Sequence, residues 1–511
     1  MSISNRSHLC RCIELIAWPA IIAMCASPVL HAGEEQQSTV AEKSAAAEHQ
    51  ATKSRPDEGR QALEFYSTSK SSQAVNDAWR LADQVRQYPV DPVERLDLLL
   101  ELGDPFLGNG PIRPGIKTPF GQMLQPGFLL YGSFRTALQS FERHGVNSIE
   151  WSNRLDLNGN VNLSGTERLV FSMRPLDSQT GNFTGYNFQP NDNSGWHEDF
   201  NARLTRLFFE GDLGEIFPGL DPDDSHTYDL GFSIGRQRMT VQDGLLLNDL
   251  IDAVGITRNS LVFDGISNLR LTGIYGWNHI NRGNNDVAFQ ADYHSVKLFG
   301  LLAEADTAWN NTVSLDALYV GGDSDENAWY FGAASTQRFG WLNSTFRVNA
   351  SIPAHESSSR VGSGVLLVSQ LSSTLPSSDN LLYFNSFWNI GRFTSAGRSP
   401  DQGSPVANLG LLYGPVGMGR YGVPLGEPID HTVGTAIGYQ MFFDGINSQL
   451  IFEVGARANT QNRLSDAALG FGTRFQKSFG KRHVLRLDAF VATEEHQPVS
   501  YGLRTEWMIK F

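Results

Sequence analysis

The stretch V-S-Y-G-L-R-T-E-W-M-I-K-F, residues 499–511, decides how the rest of the chain is read. Every second residue, Val499, Tyr501, Leu503, Thr505, Trp507, Ile509 and Phe511, forms a mostly apolar set, while Ser500, Gly502, Arg504, Glu506 and Lys510 fall between them. Period two is that of a β-strand, whose side chains point alternately to its two faces. One face is therefore aromatic and apolar and the other charged, and the first must be buried in a protein core or in lipid. Rings at both ends of the strand suit the two aromatic girdles of a membrane barrel.

The same period runs through the chain from about Phe128 onward. Ile149, Trp151, Leu155 and Leu157 oppose Glu150, Ser152, Arg154 and Asp156; Leu450, Phe452, Val454 and Ala456 oppose Gln449, Glu453 and Arg457; Leu485, Leu487, Ala489 and Val491 oppose Arg486 and Asp488. Tight Gly-containing links at 264–268, 339–341, 444–447 and 479–482 alternate with longer polar stretches at 176–199, 240–255, 278–285 and 391–431. Bacterial barrels have short periplasmic turns and long external loops, so the alternation orients the expected barrel. The expectation is an all-β, antiparallel up-and-down transmembrane barrel over residues 127–511, with about 18 strands, or 16 if the segments 257–264 and 366–373 are not strands. A water-soluble β-sandwich is the competing reading, disfavoured by so many aromatic outer faces.

Composition agrees with a barrel rather than a helical bundle. The 511-residue chain has 50 glycines, 18% charged residues and a mean hydropathy of -0.26, and past its first residues it has no apolar run of the length a membrane helix needs. Arg6 and Arg11 precede an apolar segment that ends in small residues near Ala32, which reads as a signal peptide over 1–32, a short membrane anchor being the alternative. All three cysteines, Cys10, Cys12 and Cys25, lie within it, so the mature chain would have neither disulfides nor thiolate chemistry. Residues 33–73 read as a disordered tether and 74–126 as a helical extension in the periplasm, with helical spacing from Val75 to Val85 and from Leu96 to Leu102. A net charge of -14 argues against nucleic acid as a partner.

Placing the charged strand faces inward gathers Arg135, Arg154, Arg168, Arg174, Arg203, Arg270, Arg347, Arg457, Arg474, Arg486, Arg504 and Lys510 in the lumen. They stand with Glu150, Asp156, Asp292, Asp316, Glu453, Asp488 and Glu506. Such a wall can concentrate anions, or its charges can pair across neighbouring strands and hold the barrel's shape. The Gly- and Pro-rich stretch 391–431 is the candidate constriction loop, with Tyr413, Arg420 and Tyr421 as its contact residues and the two tyrosines as sugar-facing rings; an external disordered loop is the other reading. The acidic groups Asp323, Asp325 and Glu326, and Asp221, Asp223 and Asp224, match no calcium-loop spacing and read as solvated turns, so no metal or cofactor is expected.

Two resemblances add to this. The terminal Phe511 resembles the C-terminal signature of bacterial outer-membrane barrels, which implies the barrel-assembly machinery and outer-membrane lipid as partners. The segment R-L-F-F-E-G-D-L at 206–213, followed by F-S-I-G-R-Q-R-M at 232–239, resembles the alginate-export family of outer-membrane barrels, with Gly235, Arg236 and Gln237 on that family's motif. That resemblance implies an 18-strand passive channel for a polyanionic sugar, with Arg236 near the external mouth.

The function expected is a non-enzymatic outer-membrane porin for small-molecule or oligosaccharide solutes, leaning to anionic or saccharide cargo. A structural or docking barrel that recruits periplasmic partners is the alternative. An outer-membrane hydrolase is less favoured: there is no G-x-S-x-G, and His355-Glu356 lacks the second histidine of H-E-x-x-H.

Overall fold

The computed structural model describes residues 96–104, 115–177, 183–189, 194–220, 227–282, 291–293, 295–322, 326–355, 360–376, 378–422, 424–427, 429–445, 447–461 and 465–511. The expected signal peptide, tether and first helix lie outside them, as do Asp221, Asp223, Asp224, Asp323 and Asp325.

Period-two patterning becomes 18 consecutive antiparallel strands. In chain order these are β1 (Gly127–Arg143), β2 (Val146–Asn162), β3 (Arg168–Met173), β4 (Leu204–Asp212), β5 (Leu230–Val241) and β6 (Leu247–Phe263). Next come β7 (Ile266–Asn278), β8 (Lys297–Thr307), β9 (Asn311–Gly321), β10 (Ala328–Phe339), β11 (Leu342–Pro353) and β12 (Gly364–Thr374). The last six are β13 (Leu381–Gly391), β14 (Thr432–Phe443), β15 (Ser448–Asn459), β16 (Ser465–Phe479), β17 (His483–Glu494) and β18 (Ser500–Lys510). The sheet closes where β18 pairs with β1, from Tyr501 opposite Glu142 to Lys510 opposite Ser133. Phe511 extends the seam, donating its N–H to the Gly132 carbonyl at 3.1 Å and accepting the Gly132 N–H at 2.7 Å. Closure removes the edges that an open sheet would leave unpaired in lipid.

Face assignment follows the alternation. In β18, Leu503 is 63% exposed while its neighbour Arg504 is fully buried. The exposed outer face carries one set of rings near the short-turn end, Trp309, Phe339, Trp341, Phe443 and Phe479. A second set, Trp151, Tyr275, Phe299, Trp329 and Tyr501, stands near the other end, and leucines, isoleucines and valines lie between the two.

Three expectations need correction. Leu100–Leu102 is extended rather than helical: it pairs with Phe128–Leu130 of β1, an edge that lies beyond the end of β18 and would otherwise be open. Residues 240–255 are not a long loop, because β6 begins at Leu247 and only a short turn precedes it. Asp292 is not on a barrel strand; Ala291–Tyr293 pairs with Ile280–Arg282 in a small hairpin between β7 and β8. The segments 257–264 and 366–373 do form strand, within β6 and β12. Among the described residues, no helix is long and apolar enough to cross a membrane.

Candidate permeation site

Two segments from the long-loop end turn into the lumen. The first is the tip of the β5–β6 hairpin. Gln242 donates to Ser314 Oγ at 2.9 Å and to Asp316 Oδ2 at 2.6 Å, both on the inner face of β9, and Asp243 lies 3.7 Å from Arg347 of β11. Gln242 and Asp243 adopt φ of 53° and 55°, the left-handed backbone of a tight turn. The second segment, 392–431, links β13 to β14. Gly397–Arg398 runs parallel to Leu247–Asn248 of β6, and Arg398 donates to the Gly244 carbonyl in the hairpin tip.

Farther along, the loop is held by the inner faces of strands from around the barrel. The Glu453 carboxylate on β15 accepts the N–H groups of Leu412 at 2.9 Å and Leu411 at 2.8 Å, together with the Tyr383 hydroxyl. The Glu150 carboxylate on β2 accepts from the Arg420 backbone N–H at 2.6 Å and from its guanidinium at 3.0 Å. Arg135 and Arg154 donate to the carbonyls of Val416 and Gly417. Gly419 has φ of 62°, and a Cβ there would push aside the Gln139 and Glu150 side-chain ends that meet the loop, so glycine favours this close approach to the wall.

This placement decides what the expected residues do. Tyr413 is fully buried, its hydroxyl 2.7 Å from the Ala456 carbonyl, to which it donates, and 3.1 Å from that of Thr435, with its ring edge-on to Phe387. Tyr421 is wedged between Phe141 and Phe490. Both rings therefore pack the loop down, and neither offers a face to a sugar. Arg420 keeps its guanidinium 5.8 Å from the Phe183 ring while pairing with Glu150.

Arginines on the inner faces of β1, β2 and β15–β18, with Arg174 just after β3, are held in several ion-paired groups. Arg135 pairs with Glu506 at 2.8 Å, Arg504 with Glu506 and with Asp488 at 2.7 Å, Arg474 with Asp488 at 2.5 Å, and Arg457 with Glu494 at 2.6 Å. Arg486 lies 3.9 Å from Glu506. Arg504 also donates to Gln139, which in turn donates to Glu150. Arg154 and Arg174 share Asp156 at 3.0 and 3.3 Å, and Arg174 reaches Asp401 of the inward loop at 3.2 Å. Burial pushes the Asp177 carboxyl up to about 6 although Arg174 and Arg154 stand beside it. Burial also pushes Asp401 upward, but the Arg174 and Arg238 charges and the hydrogen bonds from Gln402 and Arg174 outweigh it and hold Asp401 below the ordinary carboxylate range. Arg203 lies just before β4, with its Nε and one Nη buried and unpartnered.

The remaining expected residues are spread out. Arg168 pairs with Glu210 and Arg270 with Glu304 at 2.7 Å, both on half-exposed sites. Arg236 clamps Asp252 through two hydrogen bonds of 2.8 and 3.1 Å, and Gln237 beside it is buried. Among the described residues, no group of three or more His, Cys, Asp or Glu side chains could hold a metal ion.

Open space survives on the opposite arc. A cavity of about 320 Å³ lies between the hairpin tip and β7–β11, lined by Gln242, Asp243, Arg270, Thr272, Glu304 and Arg347 among others. Another of about 430 Å³ lies between β10–β13 and loop residues 408–411. Thr336 borders both. Sequence reasoning missed Gln139, Gln242, Tyr383 and Asp401, because polar residues on polar strand faces and loops give no signal of which one meets a partner.

No family model matches the chain, and no curated protein does. Among solved structures, the chain is similar to OccAB3 of Acinetobacter baumannii at 10% identity and a TM-score of 0.50, over 75% of this chain and 99% of that one. It is also similar to OccK11 (OpdR) of Pseudomonas aeruginosa at 12% identity and a TM-score of 0.49, over 75% and 96%. A BenF-like porin from Pseudomonas fluorescens Pf-5 matches at 9% identity and a TM-score of 0.49, over 75% and 98%. At such identities the likeness is one of fold.

Proposed function

We propose that the protein is a bacterial outer-membrane porin, a passive channel for small or oligomeric polar solutes with saccharide or anionic cargo. The observation that carries this reading is the combination of a closed barrel, apolar outside and polar inside, with an inward loop that narrows the lumen yet leaves polar cavities along one wall. The channel works without catalysis, selecting by radius and wall chemistry. Outer-membrane lipid meets the two sets of rings, the terminal Phe511 is offered to the barrel-assembly machinery, and the chain before β1 stays in the periplasm. Saccharide cargo is supported by the neutral cavity. Anionic cargo, including the polyuronates that the resemblance around Gly235-Arg236-Gln237 suggests, is supported by Arg270 and Arg347, which border the smaller cavity.

Planar-bilayer recording of the full chain tests this. The expected result is stable unitary conductance, with reversal potentials in a salt gradient reporting selectivity. A docking barrel or an outer-membrane hydrolase would give no conductance, and a detergent-free, monodisperse protein would end the membrane reading. Cation selectivity would remove the anionic arm and leave the saccharide one.

A further inference from the structure

The larger cavity differs from the rest of the lumen in its chemistry. Its lining holds no carboxylate, amine, guanidinium or imidazole, and its roughly 430 Å³ falls in the range of small-ligand pockets. Hydroxyls and amides supply the polarity, and leucines from β12, β13 and the loop lie between them.

Several of these polar groups are oriented by bonds they make elsewhere. The Asn385 amide nitrogen donates to the Leu409 carbonyl at 2.6 Å and that of Asn408 to the Asp243 carbonyl at 2.6 Å, which leaves the two side-chain oxygens as acceptors. The Gln370 oxygen accepts from Arg347, which leaves its NH₂ as a donor. The Thr336 and Thr345 hydroxyls sit 3.2 Å apart on neighbouring strands, each with further hydrogen-bonding capacity. Arg347, which meets this array through Gln370, is also engaged by Asp243.

One wall is aromatic. Tyr383 of β13 lies across its cross-strand partner Gly438 of β14, where a Cβ would collide with the ring. Its hydroxyl is fixed by Glu453, whose other hydrogen bonds go to the loop. The ring is thus held from behind and at its tip, and it borders the cavity as a platform.

We propose that this cavity is a binding subsite for a neutral saccharide, with the C–H face of a pyranose resting on Tyr383 and its hydroxyls bonded to Thr336, Thr345, Gln370, Asn385 and Asn408. The proposal rests on the channel reading and names its substrate class. A pyranose presents an apolar face and a rim of groups that both donate and accept, which matches a ring flanked by mixed donors and acceptors. A carboxylate entering here would lose water without meeting a free cation.

The test uses the full chain with maltotriose as probe, read by current block in planar bilayers and by calorimetry of the detergent-solubilised protein. Saturable block and saturable heat are expected. Tyr383→Ala should raise the half-blocking concentration roughly tenfold, and Tyr383→Phe, which keeps the ring, should restore most of the affinity. Gln370→Leu, which leaves the ring in place, should also weaken binding, and this second variant guards against a Tyr383→Ala protein that fails to fold. Block that never saturates, or wild-type affinity in both Tyr383→Ala and Gln370→Leu, would overturn the subsite. So would tighter binding of glucuronate than of glucose. Calorimetry separates the two proposals: binding without conductance keeps the subsite and removes the channel, and conductance without saturable binding does the reverse.

Discussion

The two sides of the lumen use polarity differently. Along β1–β3 and β15–β18 the wall is ionic, yet Arg504, Glu506, Glu150 and Arg457 are almost fully buried: Arg504 pairs with Glu506, Glu150 with Arg420 of the loop and Arg457 with Glu494. Along β10–β13 the wall is mainly hydroxyl and amide, and there the lumen stays open. Charge in a water-filled tube is costly to cover unless each group finds a partner. The side that pairs its charges with a folded loop is therefore the side that closes; the other side keeps two cavities, one bordered by Asp243, Arg270, Glu304, Asp316 and Arg347 and one free of charge. A lumen rich in arginine need not be a path lined by arginine.

The largest test of this contrast removes the cover. Replacing residues 400–425 with a short Gly-Ser link should raise unitary conductance several-fold in planar bilayers and make the newly bared arginines dominate selectivity; unchanged conductance would show that the loop does not narrow the path. Next, Glu453→Ala leaves two loop amides and the Tyr383 hydroxyl without their acceptor, a loss of about 3 kcal/mol of local anchoring. It should appear as faster proteolysis within 400–425 and noisier current, with Glu453→Gln intermediate. A smaller effect concerns selectivity. Thr345→Lys on the open wall should move the reversal potential toward anions more than Arg504→Gln on the covered wall moves it toward cations, and the opposite ranking would place the path along the ionic arc.

The smallest expected effect is on pH. Asp177, with its carboxyl raised to about 6, stabilises the folded loop in its neutral form. That contribution is complete below the ordinary carboxylate value of about 4 and is lost as pH rises through about 6. Asp401, held low, works in the opposite sense: its contribution is present above the ordinary value and lost as pH falls below it. Melting temperature should therefore rise modestly between pH 7 and pH 5, and Asp177→Asn should flatten that slope. A slope unchanged in the variant would assign it to another group.

Much of the barrel was legible before any coordinates. Leu503 outward and Arg504 inward follow from period two, and the count of about 18 strands, with 16 as the alternative, follows from period two read together with the Gly-containing links. Leu96–Leu102 misled because a short apolar run has helical spacing by chance, and an open β1 edge captured Leu100–Leu102 as strand. The site was less legible. Arg135 and Glu506 meet across 371 residues of chain, and Asp401 meets Arg174 only because the loop turns inward.

What the amino-acid sequence determined by itself is the direction of each strand's side chains, since alternation is local and lipid accepts only one of the two faces. What the tertiary structure decided is which inward groups meet water and which meet protein. That depends on where the cylinder closes and on the path of residues 392–431, and both are set by contacts between segments far apart in the chain.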